Sequence, residues 1–305
     1  DFEGNRATIA ERLANGNPNS INPFFVQNTE IADTLYNYRE GYGPYSQDVL
    51  IPAFISAYTG RDINEVTLNP FKLIPLPNWR ITYNGFSKMK GLDKIFDNFT
   101  ITHAYNSTFT MSGYISNLNF EGGGYFEPSR VDTLTNNYYP QKNIPAIVIS
   151  EQFAPLIGID ITWKNGITTK FDYKKSRNLS MSFVSYQMSE SRTEEFTFGF
   201  GYRLKGLSIP NPFNKKKKVK LKNDINFRVD VSYRDNVTLN NRLDQEISEP
   251  TAGMKTIRVA PSIDYIISQR LNIRIFLDRT RSIPATSASF PITNTRAGIT
   301  LRFTL

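Results

Sequence analysis

Long stretches of this chain alternate apolar and polar side chains one by one. In residues 296–305 Ala297, Ile299, Leu301, Phe303 and Leu305 alternate with Arg296, Gly298, Thr300, Arg302 and Thr304. A period of two gives a β-strand one dry face and one wet face. Residues 219–233 keep the rule for longer. Val219, Leu221, Ile225, Phe227, Val229, Val231 and Tyr233 are interleaved with Lys220, Lys222, Asp224, Asn226, Arg228, Asp230 and Ser232, and Asn223 is the exception. Phe196, Phe198, Phe200, Tyr202 and Leu204 alternate with Thr197, Gly199, Gly201 and Arg203, and Ile157, Ile159, Ile161 and Trp163 with Gly158, Asp160 and Thr162. Phe99, Ile101, Tyr105, Phe109 and Met111 share a register opposite threonines and Asn106. Weaker runs at 79–86, 147–153, 167–173, 179–188, 257–267 and 271–277 bring the total to about eleven candidate strands from Trp79 onward.

The connections predict alternating short and long links. Lys164-Asn165-Gly166 reads as a tight type I′ hairpin, since Asn-Gly accepts positive φ. Residues 174–178 and 268–270 read as further short turns. Residues 117–145 and 236–255, rich in Asn, Asp, Glu, Gly and Thr, read as long polar loops. Pro261 has no N–H to give a ladder, which predicts a bulge or a strand end there.

The first 78 residues differ. Residues 36–45 are polar and Tyr/Gly-rich, 49–58 form a short apolar helix stopped by Gly60, and 69–78 are punctuated by proline. This segment is expected to be a plug, a loop or a periplasmic rim, with residues 79–305 forming the strands.

Strand length and face chemistry indicate what surrounds the sheet. Strands of soluble proteins run about five or six residues, whereas several here run about nine to fifteen, enough to cross a bilayer at a tilt. The predicted fold class is all-β: an antiparallel transmembrane β-barrel, with polar residues toward a wet interior and apolar residues toward lipid. On that reading Asp160, Arg203, Arg228, Asp230, Arg258, Asp264, Arg274 and Arg302 face the lumen. Ile157, Ile159, Ile161, Trp163, Phe196, Phe198, Phe200, Phe227, Val229, Val231, Ile299, Leu301 and Phe303 face lipid. With Leu305 at the periplasmic side, both long loops fall outside the cell. Eleven strands is odd where single-chain bacterial barrels are even, so either the strand count is off or the chain is part of a larger wall. A soluble sheet is the alternative.

Composition narrows the chemistry. Lys and Arg exceed Asp and Glu, 36 against 28, for a net charge of +8. Without cysteine there is no disulfide framework or thiol chemistry. A single histidine, His103, leaves little room for a zinc site or a His-based triad, so no catalytic residue, metal or cofactor is expected. No stretch nears the ~20 apolar residues of a membrane helix. The chain opens on a polar segment, not a signal peptide, as expected of a mature product or a piece of something longer.

Certain phrases carry a family resemblance. Residues 69–85 (NPFKLIPLPNWRITYNG), 149–159 (ISEQFAPLIGI), 173–180 (YKKSRNLS) and 199–205 (GFGYRLK) resemble the C-terminal part of the SprA (Sov) family, the outer-membrane translocons of the type 9 secretion system. The likeness runs from about Val49 onward. It implies one very large barrel, of the order of the 36 strands of the largest known, through which folded cargo proteins cross the outer membrane and leave sideways. It further implies partners: the rest of the same barrel, outer-membrane lipid, secreted cargo, and a PorV-like barrel or a plug protein at the lateral opening. The final strand resembles an assembly signal, departing from the usual pattern by ending on Leu305 with Phe303 two residues in. An ordinary porin or nutrient-transport barrel, an outer-membrane hydrolase and a soluble binding module are the competing readings.

Other conspicuous residues have simpler explanations. Lys215–Lys218 could meet an anionic partner, but a hydrated hairpin turn is the simpler reading, and nucleic acid is not expected because no stacking platform accompanies it. His103 falls in an apolar register, as a packed histidine would. Gly122-Gly123-Gly124 lacks the strand–loop–helix context of a phosphate loop. Glu194 and Glu195, expected in a strand-entry turn, point apart and do not suit paired-carboxylate catalysis. Sequons at Asn98, Asn106, Asn178 and Asn236 carry little weight in a bacterial host.

Overall fold

The computed structural model describes residues 2–20, 38–39, 41–72, 77–206, 208–211, 214–220, 224–242, 247–268, 270–286 and 289–303. Two helices precede the strands: α1 (Phe2–Gly16) and α2 (Gln47–Thr59). The α2 helix is apolar and ends on Gly60 in the left-handed conformation, φ 70°, as the sequence predicts. The α1 helix was not foreseen.

The strands are β1 (Trp79–Tyr83), β2 (Phe96–Ser112), β3 (Ile115–Ser116), β4 (Lys142–Asn143), β5 (Ala146–Trp163), β6 (Ile167–Ser182), β7 (Gln187–Leu204), β8 (Ser208–Asn211), β9 (Asn214–Lys220), β10 (Ile225–Arg242), β11 (Ile247–Ser268), β12 (Leu271–Pro284) and β13 (Ile292–Phe303). Nine of them make one antiparallel sheet in the order β1-β2-β5-β6-β7-β10-β11-β12-β13. Neighbours in the sheet are neighbours in sequence, apart from the two small ribbons β3–β4 and β8–β9. Among the described residues β1 and β13 are edges and do not pair with each other.

The strands are longer than the alternation indicates, and several expected breaks do not exist. Residues 147–153 and 157–163 belong to one strand, β5, with a register shift between Phe153 and Ile157. Residues 174–178 are no turn but lie mid-strand in β6, paired with Glu195 through Ser191. The turn is at 183–186 instead. Residues 236–255 are not a long loop: β10 runs to Arg242, β11 starts at Ile247, and the two pair throughout. Conversely, 219–233 is divided between β9 and β10, and Lys215–Lys218 lie in strand β9, not in a turn. Residue 305 lies outside the described residues.

Turn chemistry accounts for some details. At Lys164–Gly166 only Gly166 has positive φ, 83°, so the link is a three-residue turn with glycine in the left-handed position, not type I′. Asn165 Oδ1 accepts from the Ile167 N–H at 3.1 Å and closes it. Pro261 causes neither a bulge nor an end. It pairs with Val229 on β10, while its pairing with β12 lapses between Val259↔Arg279 and Ser262↔Phe276 without a register change.

The main core lies at one end of the sheet, where the strands are farthest from Phe303. Ile9 and Leu13 of α1 and Leu50, Phe54 and Ile55 of α2 pack with Ile147, Ile149, Leu179, Met181 and Met188 of β5, β6 and β7. Tyr138 and Ile144 from the segment 113–145 complete it. That segment is irregular, as expected for 117–145, and is tied down by Gln47. The Gln47 side-chain amide donates to the Lys142 carbonyl at 2.8 Å, and its Oε1 accepts from the Ile144 N–H at 2.7 Å. The helical unit therefore lies on the apolar side of the sheet.

Candidate functional site

The ladder registers sort the whole sheet into two faces. Across β5, β6, β7, β10 and β11 one row reads Ile157, Tyr173, Phe196, Tyr233, Ile257. The next row reads Ile159, Phe171, Phe198, Val231, Val259. A lower one reads Ile167, Tyr202, Phe227, Ile263, Ile275, Ile299 across β6 to β13. All thirteen residues expected on the dry side, from Ile157 to Phe303, fall on this one face. Six of them are exposed, Ile299, Leu301 and Phe303 at 69%, 65% and 63%, and the other seven are half-buried.

The dry band has definite limits. Along β7 it spans Phe196–Leu204 and along β10 Ile225–Tyr233, nine residues in each. Above it the same face turns charged in a single row: Lys175, Glu194, Asp235 and Lys255 are successive ladder partners. One row higher stand Glu151, Arg177 and Arg192. Only above these rows does the helical unit cover the sheet. Aromatic rings collect at both margins. At the upper one Trp79 stacks on Tyr105 (4.5 Å) and Tyr105 meets Phe153 (4.8 Å), while Tyr173 stacks on Phe196 at 4.3 Å and 3°. At the lower one Tyr83, Phe86, Phe99, Phe96 and Trp163 touch in sequence.

The opposite face is mainly polar, with Ile266 and Phe276 among its apolar exceptions. The eight residues expected toward a lumen, Asp160, Arg203, Arg228, Asp230, Arg258, Asp264, Arg274 and Arg302, share it by register. Seven of them are in ion pairs: Arg228–Asp230 (2.7 Å), Arg258–Asp278 (2.8 Å), Arg203–Asp224 (2.9 Å), Lys170–Asp160 (3.7 Å) and Arg274–Asp264 (3.8 Å). Gly199 and Gly201 carry no side chain here and leave a groove of about 270 Å³ lined by Asp160, Lys170, Arg228 and Asp230. The face thus carries neutralised charge of both signs and threonine hydroxyls, a hydrated surface without a concentrated field.

The remaining candidates resolve individually. His103 sits in β2 opposite Ile81, and its Nδ1 donates to the Leu156 carbonyl at 2.7 Å between Trp79 and Phe153. It is a packed side chain that covers the register shift. Glu194 and Glu195 are mid-strand in β7, not in a strand-entry turn; they do point apart, toward Lys175 and Lys174 respectively. Gly122 and Gly123 lie in a loop bridged by Gly122↔Pro128. Among the described residues no group of His, Asp or Glu is arranged to hold a metal ion, and no helix is long and apolar enough to cross a membrane.

Neither the protein-family models nor the curated proteins contain a match to the chain.

Proposed function

We propose that this chain is part of the wall of an outer-membrane β-barrel that conducts proteins, with the apolar face toward lipid and the charged face toward a water-filled lumen. One observation carries it: an apolar band that is exposed or half-buried, nine residues tall along β7 and β10 and seven along β12, backed by a mainly polar face. Nine residues are about 30 Å of strand, roughly 22 Å of depth at a ~40° tilt, close to the ~25 Å apolar band of outer-membrane barrels. A soluble sheet this broad would cover such a face, whereas here only the part above the charged rows is covered. The aromatic margins suit the two membrane interfaces. With the Phe303 end periplasmic, the helical unit and residues 113–145 stand at the extracellular end.

The finer reading, a translocon of the SprA type in type 9 secretion with lateral exit of folded cargo, is supported by the four sequence phrases quoted above. A wall of paired charges suits a conduit for varied proteins, since it stays hydrated and offers a passing chain few free charges. An ordinary porin or nutrient-transport barrel is the alternative. The two unpaired sheet edges favour a segment of something larger.

Two measurements test this. The chain has two tryptophans, both at margins of the band. In bilayers with shallow-brominated acyl chains, W79F and W163F variants of the intact polypeptide should each show strong quenching of the remaining indole. Unquenched fluorescence in both would remove lipid from the apolar face. A photo-crosslinking residue at Arg228 or Gly199 should capture secreted proteins in transit, and one at Val229 should not. Capture of exported protein from neither polar-face position would overturn the conduit.

A further inference from the structure

On the apolar face, the charges above the dry band neutralise one another. Lys175 reaches Glu194 at 3.1 Å, Lys255 reaches Asp235 at 3.5 Å, Arg177 reaches Glu151 at 2.8 Å and Arg192 reaches Glu190 at 2.6 Å. Strand β12 breaks this pattern. Its positions on that face read Leu271, Ile273, Ile275 and Leu277, then Arg279 and Arg281. The two arginines stand at levels where β11 still carries Val259 and Ile257. Both are exposed, and neither has an ion-pair partner among the described residues. Their partners on β13 are Thr295 and Thr293, which bring hydroxyls to the same level. Just below, Ile275, Leu277 and Ile299 are open.

Two guanidinium groups and two hydroxyls thus cap an open apolar surface on a strand whose neighbours compensate every comparable charge. Guanidinium forks match phosphate oxygens two at a time, and an unpaired cation beside dry surface is stabilised when an anion is supplied there. We propose that Arg279 and Arg281, assisted by Thr293 and Thr295, bind the phosphate headgroup of a membrane lipid whose acyl chains lie along Ile275, Leu277 and Ile299. This inference rests on the membrane-wall reading above.

The test uses the intact polypeptide in detergent, stripped of lipid, with native mass spectrometry as readout. The wild type should retain lipid A and phosphatidylglycerol but not diacylglycerol, which has the chains without the phosphate. R279Q/R281Q should retain the phospholipids about thirtyfold less well, while R274Q/R302Q on the polar face retains them as the wild type does. R279K/R281K should recover part of the loss, which a purely structural defect would not allow. Equal retention by wild type and R279Q/R281Q overturns the proposal, as does equal loss in R274Q/R302Q. Displacement of the lipid by inorganic phosphate at equal concentration would make it a site for free phosphate and overturn the lipid assignment. Brominated-lipid quenching of Trp163 separates the two levels. Quenching without selective retention sinks this site alone, and absence of both sinks the membrane reading with it.

Discussion

At the scale of single residues, the most unusual group is Asp48 in the first turn of α2. It is buried, and burial raises its carboxyl to about pH 7, opposed in part by the hydrogen bond it accepts from the Tyr125 hydroxyl at 3.4 Å. That hydroxyl is itself pushed far above its ordinary range by burial and by Asp48. A carboxyl raised in the folded state binds its proton more tightly there than in the unfolded chain, where it titrates near 3.9. Its contribution is therefore full below about pH 4 and is lost as pH rises to about 7. Three units would correspond to roughly 4 kcal/mol, and the peptide dipoles at the helix start, favouring carboxylate by up to ~1 kcal/mol, reduce this to about 3. Asp48→Asn keeps the shape and the acceptor for Tyr125 but cannot ionise. Hydrogen-exchange protection of α2, corrected for intrinsic rates, should fall between about pH 4 and 7 in the wild type and stay level in D48N. An equally steep fall in both would assign the dependence to another group.

Among elements, Arg177 joins three. From β6 it donates to Glu151 of β5 through Nε (3.1 Å) and Nη2 (2.8 Å), and Nη2 also donates to the Tyr58 carbonyl near the end of α2. It fastens the helical unit to the sheet where the charged rows begin. Being partly exposed, it should contribute about 1–2 kcal/mol, not the full strength of a buried fork. R177A should accelerate proteolytic cleavage after α2, in residues 60–69, by about tenfold, with R177K in between. Unchanged cleavage in R177A would mean that packing of Leu50, Phe54 and Ile55 holds the unit unaided. The same boundary explains what the sequence could convey. Alternation records a strand only where one face is dry, and in the band it places Ile157 and Phe196 on one face and Arg228 and Asp230 on the other, as the registers do. Above the band β6, β10 and β11 continue as strands because each has a neighbour to pair with, yet residues 174–178 and 236–255 are wet on both faces or carry Gly and Pro, so they resemble turns and loops. The α1 helix was missed for a related reason: its dry side is confined to Ile9, Ala10, Leu13 and their neighbours, and that side is set by contact with α2. The phosphate site was hidden too, because Arg279 and Arg281 gain meaning only beside the compensated charges of Lys175 and Lys255, which are distant in sequence.

For the molecule as a whole, the decisive feature is the pair of free edges. β1 covers only Ile101–Tyr105 of β2, and all twelve residues of β13 lack a partner on their outer side among the described residues. In water an edge is solvated, but in hydrocarbon each unpaired backbone group costs several kcal/mol, so a membrane-spanning sheet has to close. Nine strands would have to curl until β1 met β13, yet β1 offers five residues to a strand of twelve. Closure by additional strands satisfies both edges without such a mismatch. On the proposed membrane-wall reading, the protein should therefore be recovered from the outer membrane and run, on a denaturing gel or as a native complex, well above the 34.8 kDa of these 305 residues. A cysteine at Thr295 on the edge strand, labelled through a maleimide with a photo-crosslinker, should crosslink to a strand outside residues 79–303, identifiable by peptide mapping. If the same cysteine instead crosslinks to one placed at Ile81 in β1, and a 34.8 kDa monomer conducts ions by itself, the wall closes on its own strands. The translocon reading would then give way to a small barrel with β1 and β13 as its seam.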